Sequence, residues 1–235
     1  MIMLATLRRD LQAARERDPA ARSTAEILLC YPGLHAVWGH RISHWLWQHN
    51  AKLVARVLST VTRSLTGVDI HPAAVVGEGL LIDHATGVVI GETAEVGAEV
   101  TLYQGVTLGG TSLSKGKRHP TVGDRVTIGA GAKVLGPITV GHDSRIGANA
   151  VVVRPVPPNS VVVGVPGQVI ARSRPRPVVT PPDSDEVLMP DLVGSSLQSL
   201  LRRVDHLETA VNGHTSSTDA RPSPSGVWSG EDFSI

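Results

Sequence analysis

At 235 residues the chain is long enough for one or two domains with a substantial core. Its 22 basic and 21 acidic residues leave a net charge of +1, which argues against strong global attraction to nucleic acid or to an anionic membrane. A single cysteine, Cys30, excludes an intrachain disulfide and a cysteine-based zinc knuckle, and that count fits a cytosolic chain.

The N-terminal stretch "MIMLATLRRDLQAARERDPA" is charged throughout and lacks the apolar segment of a secretory signal. No apolar run approaches the ~18 residues needed to span a bilayer, so a soluble, cytoplasmic protein is expected. "TLRRDLQAARER" predicts a helix that stops at Asp18-Pro19, because the residue before proline avoids the helical region. Residues 34–65 read as amphipathic helix, with Trp38, Ile42, Trp45, Leu46, Leu53 and Val57 as expected buried positions. Residues 1–66 therefore form a helical leader domain. His40 and His44 share a face there at i, i+4, with His35 and His49 nearby. No glutamate intervenes as in a zinc-protease helix and no third ligand is positioned, so they read as core or surface histidines and no metal site is expected.

From 67 to 170 the pattern changes. Aromatics make up only 3% of the chain while glycine reaches 24 residues, which points to a core of stacked small aliphatics. Aliphatics recur every six positions: Ile70, Val76 and Ile82, then Ile90 to Leu108, then Val122 to Val152. The phase slips by two residues between Ile82 and Ile90, and a longer interruption covers roughly 110–121. A six-residue period means a short strand and a tight turn, with glycine supplying the turn dihedrals. Three such units close a triangular coil of about 18 residues, and coils stack about 4.8 Å apart. The period gives a parallel β-solenoid of a little over four coils; it does not give the hand.

Residues 171–190 carry five prolines in twenty residues and read as an extended linker. Residues 191–212 space Val193, Leu197, Leu200, Val204, Leu207 and Val211 by 4, 3, 4, 3, 4, a heptad pattern. Self-association and a single helix packed on its own subunit both fit it. Residues 213–235 have the composition of a flexible tail.

The solenoid explains the aliphatics but not the acids and histidines placed on it. Asp69 precedes the anchor Ile70, and His84 follows the anchor Ile82 by two. Their separation of 15 residues is close to one coil, so they approach one edge on neighbouring coils. Contact is permitted there. If made, Asp69 would accept the protonated imidazole nitrogen and leave the other free as a base. A solvated Asp83–His84 pair is the plainer alternative. The interruption "GGTSLSKGKRHP" (109–120) adds a glycine- and lysine-rich loop on a rigid scaffold, where functional loops concentrate. Arg118 offers a planar fork for a carboxylate, and Lys115 and Lys117 suit a phosphate.

Taken together, "RDPA", "GLHAVWGHRISHWLW", "VDIHPAA", "DHATGVVIGETAEVG", "VTLGGTS…KRHPTVGD", "IGAGAKVLGPITVG" and "IGANAVVVRPVPPNSVVVGVPG" resemble the serine O-acetyltransferases, from about residue 14 to 168. The resemblance implies an α+β chain: a helical domain, then a left-handed parallel β-helix that assembles as a homotrimer, or as a hexamer of paired trimers, with active sites between subunits. It implies transfer of acetyl from acetyl-CoA to L-serine on the route to cysteine, with no permanently bound cofactor. His84 would be the general base and Asp69 its partner. Asp18 and Asp83 would contact the serine amine, Arg118 and His119 its carboxylate, and Glu92 would lie in the site without an assigned role. Gly110, Ala130 and Ala148 would line the CoA arm with backbone groups. The C-terminal Ile235 would dock into O-acetylserine sulfhydrylase, and L-cysteine would inhibit by feedback. Rivals are a sugar or antibiotic acetyltransferase, a zinc hydratase (against which Asp124 stands where a histidine is wanted), and a non-catalytic scaffold for the sulfhydrylase.

Overall fold

Four helices precede the strands in the computed structural model, which describes residues 2–172 and Val204. Helix α1 (Ile2–Arg17) ends where Asp18-Pro19 requires. In α2 (Thr24–Cys30) the Ser23 hydroxyl caps the first turn by accepting the Glu26 N–H at 3.1 Å. Helix α3 (Pro32–Gln48) starts on proline, and α4 (Lys52–Thr66) ends at left-handed Gly67. The amphipathic stretch is thus two helices, broken at His49–Ala51, where Asn50 adopts a φ of 65°.

The expected buried face of this stretch needs correction. Trp38 and Leu46 are half-buried, while Ile42, Trp45, Leu53 and Val57 are exposed. The two helices close on each other through small residues instead. A Cβ on Gly39 would fall 2.6 Å from the Thr62 hydroxyl, and Ala36, Ser43, Ala55 and Ser59 are buried around it. That close approach turns the bulky row Leu53, Val57, Val61 and Leu65 outward. His40 is buried at this interface, and desolvation pushes it down to about 3, so it stays neutral.

The helices are held on the solenoid by an apolar cluster of Ala14, Ile27, Leu34 and Leu81, and by a polar clamp. Arg41 grips the buried Asp10 through two 2.7 Å bonds and donates to the carbonyls of Val76 and Gly77. Asp10 also accepts the Gly79 N–H at 3.0 Å. Removing one partner of a buried pair strands the other charge. Asp10→Ala is therefore expected to cost about 3–5 kcal/mol, read as a lowered urea midpoint at unchanged slope. A loss under about 1 kcal/mol would show that the clamp contributes little.

The strands form three parallel sheets. The first stacks β1 (Asp69–Ile70), β4 (Val89–Ile90), β7 (Thr107–Gly109), β10 (Lys133–Leu135) and β13 (Val151–Val152). The second stacks β2 (Val75–Val76), β5 (Glu95–Val96), β8 (Thr121–Val122) and β11 (Thr139–Val140). The third stacks β3 (Leu81–Ile82), β6 (Thr101–Leu102), β9 (Thr127–Ile128), β12 (Arg145–Ile146) and β14 (Ser160–Val163), and β15 (Gln168–Arg172) closes it antiparallel. Register places Ile70, Ile90, Leu108, Val134 and Val152 in one ladder. All thirteen anchors join a single core, with Val76 half-buried and the others buried. A second buried ring sits two residues before the anchors, including Val68, Leu80, Val88, Val100, Val106 and Val126.

Coil length varies only at the turns. Twenty residues separate Asp69 from its partner Val89, 18 separate Val89 from Thr107, and 26 separate Thr107 from Lys133. The two extra residues fall in the 83–88 turn and the eight in the 110–120 loop, where the sequence period breaks. Chain contacts divide the protein into units Met1–Pro181 and Pro182–Ile235. Of the second, only Val204, which is helical, is described. The rest of the expected heptad helix, the tail, and the linker beyond Arg172 lie outside the described residues.

Candidate active site

Two edges of the solenoid carry the acids and histidines expected in the site. The first joins the third sheet to the first and holds the 83–88 turn. Its later coils each turn on one left-handed residue, Gly105, Gly131 or Asn149. The 83–88 turn uses three: His84 at φ 56°, Ala85 at 51° and Gly87 at 76°. Left-handed backbone at a residue with a Cβ costs roughly 1–2 kcal/mol, and such strain concentrates at functional turns. His84 is 74% exposed, with Nε2 4.0 Å from Asp83 Oδ2.

Asp69 lies on the coil below. Its N–H bonds the Val88 carbonyl at 2.9 Å, and Gly87 N–H bonds Gly67 at 2.9 Å. Residues 69 and 84 thus share one edge on neighbouring coils, as their spacing implies. The permitted hydrogen bond between them is not made. Arg63, in the last turn of α4, supplies a competing charge 3.5 Å from Asp69 Oδ2. Both groups of that pair are substantially exposed, so it is weakly held.

The leader links Asp18 to this edge through Tyr31, which packs on the cluster that includes Leu81. Asp18 Oδ1 accepts the Ala20 N–H at 2.8 Å, and its Oδ2 accepts the phenol of Tyr31 at 2.5 Å. Burial, the Asp18 carboxylate, and the charges of Glu26 and Asp83 raise that phenol to about 12. Tyr31, in the link between α2 and α3, went unnoticed in the sequence. Its only local signal is the Tyr-Pro-Gly punctuation between two helical runs. Ala130 and Ala148 continue the same edge on later coils, where the Asn149 N–H bonds the Ala130 carbonyl at 2.8 Å.

The second edge joins the first sheet to the second. Here the 110–120 loop folds back onto Gly91-Glu92-Thr93. Thr93 is the hub: its Oγ1 accepts the N–H groups of Arg118 at 3.0 Å and His119 at 3.1 Å. Its hydroxyl proton then points to His119 Nδ1 at 2.9 Å, and its own N–H reaches the same nitrogen at 3.2 Å. With Nδ1 accepting, the neutral ring carries its proton on Nε2 and is a donor there. Burial first, and then Arg118, hold His119 below the usual histidine range, which favours that neutral form.

The ring packs over glycine: a Cβ on Gly91 would lie 2.0 Å from His119 Cδ2. Gly110 faces the same ring, with its would-be Cβ 3.3 Å from Nε2. Arg118, expected to be open for a carboxylate, is engaged by Glu92, and its hydrogen bond holds Glu92 below the ordinary carboxylate range. His71 lies in the same electrostatic cluster and is lowered chiefly by burial. Thr93 and His71 were also missed, since neither sits at a distinctive spacing. Among the described residues no hydrogen bond or ion pair joins Asp83 or His84 to Arg118 or His119. One face of the prism, the first sheet, lies between them. Nor is any group of three or more His, Cys, Asp or Glu side chains placed to hold a metal ion among the described residues.

The bacterial transferase hexapeptide model matches residues 119–154, and the serine acetyltransferase N-terminal model matches residues 2–38. A serine acetyltransferase of Mycobacterium tuberculosis is 64% identical over 233 residues, covering 99% of this chain and 100% of the relative. The chain belongs to the serine acetyltransferase family. Solved serine acetyltransferases share its fold, a left-handed parallel β-helix behind a helical leader. One from Neisseria gonorrhoeae, in complex with serine, is 47% identical with a TM-score of 0.70, covering 72% of this chain and 69% of its own. One from Brucella abortus, in complex with coenzyme A, is 47% identical with a TM-score of 0.71, covering 73% and 68%. A third, in complex with cysteine, is 46% identical with a TM-score of 0.71, covering 72% and 70%. Among the described residues no helix is long and apolar enough to cross a membrane.

Proposed function

We propose that the protein transfers the acetyl group of acetyl-CoA to the hydroxyl of L-serine, giving O-acetylserine and CoA, with His84 as general base. The observation that carries this reading is the strained turn that presents His84 beside Asp83 and above Asp69, with the leader's Asp18 linked to the same edge through Tyr31. As the serine oxygen bonds to the thioester carbonyl carbon, the imidazole takes its proton. The tetrahedral intermediate then collapses, the carbon–sulfur bond breaks, and the imidazolium returns the proton to the departing thiolate. No acyl-enzyme is needed, because the thioester already carries a good leaving group. Asp69 leaves its loose pairing with Arg63 to orient the ring.

Asp18 and Asp83 receive the substrate's ammonium group. Arg118 receives its carboxylate by exchanging Glu92 for it, with His119 donating from Nε2 and Glu92 remaining beside the site. Because these groups occupy two edges of one prism, the site is completed where the His84 edge of one subunit meets the 110–120 loop of another. This favours a homotrimer, or a hexamer of paired trimers. The CoA arm runs along the edge marked by Ala130 and Ala148 and reaches Gly110 of the loop. The serine, CoA and cysteine complexes of relatives support these two substrates and feedback inhibition by L-cysteine at the serine site. The reaction would commit serine to cysteine in the cytoplasm. Ile235, outside the described residues, is the proposed contact with O-acetylserine sulfhydrylase.

The test is thiol release from acetyl-CoA with serine, threonine and simple sugars in parallel. Serine is expected to support turnover far better than any sugar. Arg118→Ala should raise the serine KM by about tenfold or more, the loss of a charge-assisted bond. Turnover of a sugar that is indifferent to Arg118→Ala would overturn the reading.

A further inference from the structure

Asp18 is the only acid expected in the acceptor site that reaches it from the helical leader, and it arrives already held. Its Oδ1 is fixed by the Ala20 N–H and its Oδ2 by the Tyr31 phenol. The Tyr31 ring packs against the apolar cluster that includes Leu34 and Leu81, so the phenol is anchored to the strand that leads directly into Asp83. Gly33, two residues on, lets the leader backbone press against the Ile82 carbonyl, where a Cβ would fall 1.9 Å away. Tyr31 is therefore tied on one side to Asp18 and on the other to the approach to Asp83, whose charge also acts on it.

A carboxylate has about four lone-pair sites. Asp18 has spent two of them on internal donors, and the remaining two point along directions those donors fix. The Asp83 carboxylate receives no hydrogen bond among the described residues, and its side chain is only 27% exposed. Asp18 and Asp83, both half-buried and both acting on Tyr31, present several unfilled acceptors, which suits an ammonium group with three donors. A phenylalanine at 31 would fill the same apolar contacts and leave the Asp18 carboxylate held by the Ala20 N–H alone.

We infer that Tyr31 is a positioning residue for amino-group recognition, holding Asp18 in the orientation from which it and Asp83 together bind the primary ammonium of the acceptor. This rests on the serine-acetylating reading above. It makes selection for an α-amino alcohol depend on a hydroxyl that touches no reacting atom.

The experiment is a cycle of Tyr31→Phe, Asp18→Asn and the double variant, assayed by thiol release with serine and with 3-hydroxypropanoate, which keeps the hydroxyl and carboxylate but lacks the amine. Tyr31→Phe is expected to raise the serine KM about tenfold while the acetyl-CoA KM stays constant, the change falling on KM rather than kcat. On the Asp18→Asn background it should add less than twofold, because the phenol acts through that carboxylate. With 3-hydroxypropanoate the Tyr31→Phe and parent enzymes should be equal. A serine KM unchanged by Tyr31→Phe, full additivity with Asp18→Asn, or an equal defect on the amine-free acceptor would each overturn the inference while the parent enzyme still acetylates serine. A parent enzyme that does not acetylate serine removes the functional reading, and this inference with it.

Discussion

His84→Ala is expected to lower kcat for acetyl transfer to serine by about 10²–10⁴-fold, the usual contribution of a positioned base. The acceptor hydroxyl is a poor nucleophile near neutral pH, so the proton must leave as the new bond forms. His84 is the imidazole that the left-handed turn holds out to solvent at the edge shared with Asp69. His119 cannot substitute: its Nδ1 is filled by Thr93, and its Nε2 carries the proton. Binding of acetyl-CoA, measured directly by calorimetry, should persist in the variant, because the backbone groups proposed to line that arm lie on later coils. A variant that retains more than about a tenth of the parent rate would remove His84 from the mechanism.

The second large effect is expected from adding one methyl group. Gly91→Ala would place a Cβ 2.0 Å from His119 Cδ2 and 2.1 Å from Nε2, far inside contact distance. The ring cannot simply swing away, because the buried side chain is pinned through Nδ1 to the hydroxyl and N–H of Thr93. The backbone of Arg118 and His119 is pinned to the same hydroxyl. Relief therefore requires the end of the 110–120 loop to shift, carrying both residues off station. A loss of about 10²-fold in kcat/KM for serine is expected, in keeping with the sensitivity of catalysis to an ångström-scale displacement. Overpacking should also cost about 1–3 kcal/mol of stability, measured in urea. Parent-like kcat/KM would show that the placement of His119 does not matter to the reaction.

How much of this was legible beforehand differs between scaffold and site. The thirteen anchors were readable because each coil repeats the same requirement, an inward aliphatic every six residues, and repetition leaves a period. The two breaks in that period coincide with the two places where the coil lengthens, so the irregularities were as informative as the rule. The buried face of α3 and α4 was misread because bulky side chains were assigned inward, whereas a close helix pair buries its smallest residues, Gly39 against Thr62. Asp18, Asp83 and His84 could be named from motifs. Tyr31 and Thr93 could not, because what sets them apart is which atoms they touch across 13 and 26 residues of chain.

Lengthening the chain by two residues before Val89, or by eight before Thr121, leaves each ladder intact: Ile90 still sits on Ile70, and Val122 on Val96. Such a stack absorbs inserted sequence at its edges without renegotiating its interior, so novelty and stability are written in separate parts of the chain. A scaffold of this kind can acquire a new loop in one step and refine it afterwards, since the ladders register only the anchors and are indifferent to what is spliced between them.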